Sequence, residues 1–199
     1  MRIGLAMTSG LAACVLVAGL AGTALSQDGE DAMMEDSMMA DDMAPFGGPH
    51  DVDFALTLWD KMAAARLVGD DRMVSRPFEG NEPHGAIQEV VATTVEMDGR
   101  SGRLLVKQNH MGEGADRDSV YENPDEWLQA VTIMFKREEG YDPDNQDWFW
   151  AKYLPDGTLD KNPAGVQLAG RVAKGMDAGC IACHSAAGGA DLEVLTFSD

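Results

Sequence analysis

The chain predicts an α+β domain, and three observations predict it. One stretch near residue 53 repeats apolar residues at helical spacing. From residue 86 onward the patterned segments are short and rich in branched and aromatic residues. Gly, Pro, Asp and Asn clusters divide those segments, and one pair of them reads as a hairpin.

The elements follow in order. Residues 1–26 open with Met1-Arg2 and an apolar run over 3–25, and Ala24-Leu25-Ser26 has the small-x-small form of a cleavage site. That is the pattern of a secretory signal peptide, so a mature chain beginning at Gln27 in the periplasm is expected. Leu11-Ala12-Ala13-Cys14 resembles a lipoprotein box, but the residues after Cys14 stay apolar where a tether is polar. Cleavage near Ser26 is therefore the expectation. Nothing later is apolar enough to span a membrane.

Removing 26 of 199 residues leaves 173, enough for one domain with a real core. Cys14 goes with them, so the mature chain keeps Cys180 and Cys183. The whole chain carries a net charge of −19, and the signal segment holds one base (Arg2) and no acid, so the mature charge is −20. Such a balance repels nucleic acid and anionic lipid and suits a soluble secreted protein.

Residues 27–49 hold seven acids, no base and five methionines, and end in Gly47-Gly48-Pro49. High charge without branched aliphatics predicts a disordered linker. Its thioethers are soft enough to hold Cu(I), although a solvated linker has the same acids. The folded domain is expected over 50–199. A helix is expected over 53–68, with Phe54, Leu58, Met62 and Ala65 on one face, Asp51 or Asp53 as cap and Gly69 as stop. Residues 86–95 and 104–108 read as strands, with turn chemistry over 98–102. Asn123-Pro124-Asp125 opens a short helix or loop. Residues 131–136 and 147–153 form the hairpin, and Pro155-Asp156-Gly157 closes its second strand. A short helix is an option over 166–174, and 192–197 reads as an edge strand.

The chemistry-bearing motif lies near the C-terminus. Cys180-Ile181-Ala182-Cys183-His184 is Cys-x-x-Cys-His, the attachment signature of c-type haem. Two thiols at that spacing form thioethers to the haem vinyl groups, and the adjacent imidazole becomes the proximal iron ligand. Zinc would need a fourth ligand from elsewhere. A dithiol redox site has no need of the trailing histidine. The expected cofactor is one covalent haem c per chain, with Cys180 and Cys183 as tethers and His184 on the metal.

Fifteen residues follow His184, and none is Met, His, Lys or Tyr. A sixth ligand must come from upstream (His84, His110, Met111 or Met134), or the iron is five-coordinate. An open sixth position implies small-ligand chemistry rather than simple electron relay. A late haem motif also suits four-helix cytochromes, but the strand-rich middle of the chain argues against a bundle.

Several stretches resemble cytochrome P-460. They are Pro83-His84-Gly85, Leu105-Val106-Lys107-Gln108-Asn109, the run from Lys136 to Pro143, the run from Asp147 to Tyr153, Pro155-Asp156-Gly157 and the late haem motif. The resemblance covers roughly residues 55–199. It implies a mainly antiparallel β-sheet with a few helices and a C-terminal haem-attachment segment, usually in a homodimer. It also implies one c-type haem with an open distal site, hydroxylamine oxidation in the enzymatic members, and nitric oxide or other gas binding in the related β-type cytochromes c prime.

In the enzymatic members a lysine of a Val-Lys motif is joined to the porphyrin edge, and Val106-Lys107 matches it. Burial would lower the Lys107 pKa toward the free amine such a bond requires; the alternative is a strand lysine facing water. A distal glutamate of those members falls at Thr132, which donates a hydrogen bond but is no base. Glu113, Asp116 and Glu122 are acids that could take that role if a loop folds over the haem; solvation at the surface is their alternative fate. Three functions follow. The chain oxidises hydroxylamine or a related small nitrogen species and passes electrons to a soluble acceptor. Or it binds nitric oxide or carbon monoxide without turnover, in a pocket lined by Phe135, Met134 or Ile133. Or it relays electrons, which requires a strong sixth ligand.

Overall fold

The computed structural model describes residues 45–187 and 191–194. The expected signal peptide, and all of the acidic methionine-rich segment up to residue 44, lie outside the described residues. Among the described residues the chain is α+β, with four helices and one six-stranded antiparallel sheet in meander order.

Helix α1 (Pro49–Ala64) opens with proline in its first turn, where a missing N–H costs nothing. Its N-cap is Gly48, with no side-chain cap. Asp51 therefore does not cap; it lies inside the first turn, where its charge favours the helix dipole. The helix ends earlier than Gly69 because Arg66 turns left-handed at φ 57°. That turn folds Leu67 and Val68 into the core, while Ala65 stays exposed. Leu58 and Met62 are fully buried, as the periodicity predicts. Phe46 is also buried and bridges to Gly170, so the folded part reaches back past His50.

Strand β1 (Phe78–Glu79) pairs with β2 (Ile87–Met97), which pairs along its whole length with β3 (Arg100–His110). The turn between β2 and β3 is only two residues. Asp98 at φ 52° and Gly99 at φ 73° are both left-handed, the geometry that matches strand twist. Residues 100–102, expected in the turn, belong to the strand. Gly102 is needed there because a Cβ would meet the Phe135 ring at 2.4 Å.

Two short helices follow, α2 (Arg117–Glu122) and α3 (Pro124–Trp127). Asp116 caps the first, accepting from the N–H groups of Asp118 and Ser119. The predicted hairpin is present as β4 (Leu128–Lys136) and β5 (Trp148–Tyr153). Its loop is held by buried Asp142, which accepts from Asn145 at 2.8 Å and from Lys174 at 2.6 Å.

The helical option at 166–174 is not taken. Instead β6 (Ala169–Gly170) adds to the β5 edge, and its neighbours form turns. Gly170 sits at φ 103°, a conformation closed to helix. Helix α4 (Cys180–Ala187) carries the haem-type motif. Residues 192–194 are not strand, and 195–199 lie outside the described residues.

Strand alternation gives the sheet two different faces. On one, Leu104, Val106, Val131, Ile133, Phe135, Phe149, Ala151 and Tyr153 pack with Leu58 and Met62 of α1. Each buried Leu, Val, Ile, Met or Phe side chain among them contributes about 1.5–3 kcal/mol by leaving water. On the other, Leu105, Met134, Trp148 and Trp150 pack with Val172, Ala173 and Ile181 of the C-terminal segment. The candidate site lies between that second face and α4.

Candidate functional site

Helix α4 sets the spacing of its three chemical groups. Residues three and four apart share a helix face, so Cys180, Cys183 and His184 form one cluster. Ile181 anchors the helix by burying its side chain against the second sheet face. Gly179 allows the close approach: a Cβ there would stand 2.3 Å from that of Ala173. His184 is buried, Cys180 half-buried and Cys183 exposed, and neither cysteine is in a disulfide.

The orientation of His184 is defined by its neighbours. Its Nδ1 lies 2.7 Å from the Leu192 carbonyl oxygen, which can only accept. Nδ1 therefore carries the proton, and Nε2 on the far side keeps its lone pair. The ring meets Trp150 edge-on at 4.7 Å between centroids. Burial lowers the His184 pKa, the bond to Leu192 opposes that, and the Lys107 charge adds to it. The neutral imidazole, which this lowering favours, is the form that ligates metals.

Across from α4, His84, Leu105, Lys107, Thr132, Met134, Trp150, Cys180 and His184 wall one narrow crevice. Register explains the sheet's share. Lys107 pairs with Thr132, and Thr132 with Lys152, so all three side chains share a face. Leu105, Met134 and Trp150 form the next row on that face. Lys107 is buried, and its Nζ donates to the Val194 carbonyl oxygen at 2.9 Å. Burial pulls its pKa down from the usual lysine value. The Thr132 hydroxyl accepts from Asn109 Nδ2 at 3.1 Å and lies 3.3 Å from His84 Nδ1. Burial, and then the charges of Lys107, His184 and Lys152, hold the His84 pKa at about 4.

Four of the five expected site residues, Lys107, Thr132, Cys180 and His184, thus line one crevice, and Cys183 lies one helical turn from Cys180. Of the four candidate sixth ligands, His84 and Met134 reach the crevice. His110 does not: it is fully buried with its Nε2 3.0 Å from Glu89. Met111 lies beyond the β3 bulge, packed against Gly85. Glu113, Asp116 and Glu122 are exposed and line no part of the crevice. Phe135, expected on the pocket, faces the α1 side instead, with Phe54 5.8 Å away.

Trp150, Asn109 and the Leu192 carbonyl were not predicted. The parity of residues 147–153 carries the signal for Trp150, since it places that residue on the Thr132 face. A backbone carbonyl has no sequence signal. A larger, more open groove lies beside α1, lined by Phe54, Asp98, Arg137 and Tyr141, but it holds none of the motif residues.

The donor set fits a covalently held haem. Two thiols are unpaired, an imidazole beside them presents Nε2, and the facing wall is apolar at Leu105, Met134 and Trp150. Burial pushes the Cys180 thiol up to about 11. A dithiol redox centre needs the opposite shift. No known protein-family model, curated protein or solved structure matches the chain.

Proposed function

We propose that the chain is a periplasmic monohaem c-type cytochrome of the P-460 type, acting on hydroxylamine or a related small nitrogen species. One observation carries the reading. His84, Lys107, Thr132 and the α4 pair Cys180 and His184 come from four separate segments and wall a single crevice. Chance packing of buried residues does not require all of these groups to converge.

In this reading Cys180 and Cys183 tether the haem and His184 ligates its iron. The haem supplies the redox chemistry, and the protein supplies position and proton paths. The Lys107 amine is pressed against the crevice in a form that loses its proton more easily than a surface lysine. It is the group that would join the macrocycle edge. Thr132 holds its hydroxyl between Asn109 and His84. It orients a hydrogen bond and removes no proton. The expected partners are a small nitrogen-oxide or gas ligand and a soluble electron acceptor or donor. A homodimer is the expected assembly, by resemblance alone.

A second reading is gas binding without turnover, and Met134 and Leu105 favour it by making the wall beside Thr132 apolar. Mixing the ferric protein with hydroxylamine and an artificial acceptor separates the two. Steady reduction of the acceptor supports the enzyme. Ligand binding with no reduction ends the enzymatic reading and leaves the gas-binding one.

A further inference from the structure

We propose that residues 191–194 form a strap that sets the strength of the bond between His184 and iron, and that the Arg103–Glu193 ion pair clamps the strap in place. This role rests on the haem reading above and adds two positioning residues to it, Arg103 and Glu193. Each of the four consecutive residues makes a polar contact with a side chain at or beside the site. The Asp191 carbonyl accepts from Trp148 Nε1 at 2.6 Å. The Leu192 carbonyl accepts from His184 Nδ1 at 2.7 Å. The Glu193 carboxylate accepts from Arg103 Nε and, at 2.7 Å, from a second guanidinium nitrogen. The Val194 carbonyl accepts from Lys107 Nζ at 2.9 Å. Strand alternation puts Arg103 on the same face as Leu105 and Lys107. The strap is thus tied to β3 through Arg103 and Lys107, to β5 through Trp148, and to α4 through His184.

The backbone of the strap is strained. Leu192 is left-handed at φ 63°, a conformation in which its Cβ crowds a carbonyl oxygen. Such a conformation persists only where the surroundings over-determine it. Here they are the bonds made by Asp191 and Glu193 on either side, and the packing of the Leu192 side chain against the cluster of Trp148, Trp150 and Ile181. The strained residue is the one whose carbonyl holds the imidazole.

That acceptor has a chemical consequence. A carbonyl bonded to Nδ1–H orients the ring and raises the basicity of the ligating nitrogen. A more basic imidazole binds iron more strongly and favours the ferric state. The strap belongs to no helix or strand, so its anchors fix its position. Of these anchors the Arg103–Glu193 pair is both charge-assisted and two-pronged, the strongest kind. Arg103 is 49 % exposed, but the Glu193 carboxylate is only 10 % exposed, which sets the pair apart from an ordinary surface ion pair. Without either partner the strap relaxes at Leu192, and the bond to His184 Nδ1 weakens.

The test uses the exported holoprotein and two variants, Arg103→Gln and Glu193→Gln. The readouts are the reduction potential and the iron–histidine stretch in resonance Raman spectra of the ferrous protein. The clamp predicts the same change from both variants, a higher potential and a lower stretching frequency. The ferric–ferrous equilibrium should move about threefold toward the ferrous form, which is about 28 mV at 59 mV per tenfold. Bare charge predicts otherwise: loss of a carboxylate raises the potential, and loss of a guanidinium lowers it. Any pattern other than the shared rise, opposite shifts above all, overturns the proposal and leaves the haem reading standing. If neither variant is exported, proton NMR of the wild type decides. A His184 Nδ1–H protected from exchange with deuterated solvent supports the strap, and exchange as fast as in an exposed imidazole overturns it. A wild type without haem removes the reading beneath the proposal, and the proposal with it.

Discussion

Lys107 and Thr132 stand directly opposite each other across β3 and β4. That single register position brings the amine and the hydroxyl to the face that α4 covers. A slip of one residue in either strand would turn that strand's member of the pair, Lys107 or Thr132, to the α1 side. The buried row on the other face, from Leu104 to Tyr153, makes such a slip costly, so the core enforces the site.

The position of Lys107 leads to a prediction about covalent structure. Proteolysis of the holoprotein should yield a haem peptide that contains both the 180–184 motif and the segment around Lys107. Lys107→Arg should keep the C-terminal attachment and lose the second peptide. Recovery of haem on the 180–184 peptide alone in the wild type would make Lys107 an ordinary buried lysine bonded to Val194.

Trp150 serves both packing and site. It is 2 % exposed, and its ring meets His184 edge-on. Trp150→Ala should cost about 3–5 kcal/mol in urea unfolding, the usual loss for a large aromatic in a close-packed core. A loss below about 1 kcal/mol would mean that this face is looser than the structure describes.

The β2–β3 hairpin depends on its left-handed turn. Gly99 is at φ 73°, and a Cβ there would meet nothing within 4 Å. Gly99→Ala should therefore cost about 1–2 kcal/mol from backbone strain alone. Chemical denaturation measures it. An unchanged midpoint would show that the turn relaxes to another type.

Much of this was legible in the sequence, for physical reasons. The hairpin at 131–136 and 147–153 was readable because branched and aromatic residues bounded by turn residues have few other places to go. Leu58 and Met62 were readable from period alone. The helix end was not, because Arg66 is no natural stop; it turns left-handed so that Leu67 and Val68 can be buried. The 166–174 segment misled because small residues suit a helix as well as an edge, and the free edge of β5 decided the matter.

At the site, Cys180, Cys183 and His184 were readable from spacing. Lys107 and Thr132 entered through resemblance, and the register then places them together. His84 was one of four possible ligands in the sequence. Its place on the crevice depends on the path of the loop between β1 and β2, which no local pattern encodes.

The most direct measurement is the intact mass and visible spectrum of the protein purified after export. The account predicts a coloured protein, heavier than its mature polypeptide by one haem that acid–acetone does not extract, and predicts that Cys180→Ser with Cys183→Ser abolishes the covalent attachment. A colourless wild type with the mass of its amino acids alone would contradict it.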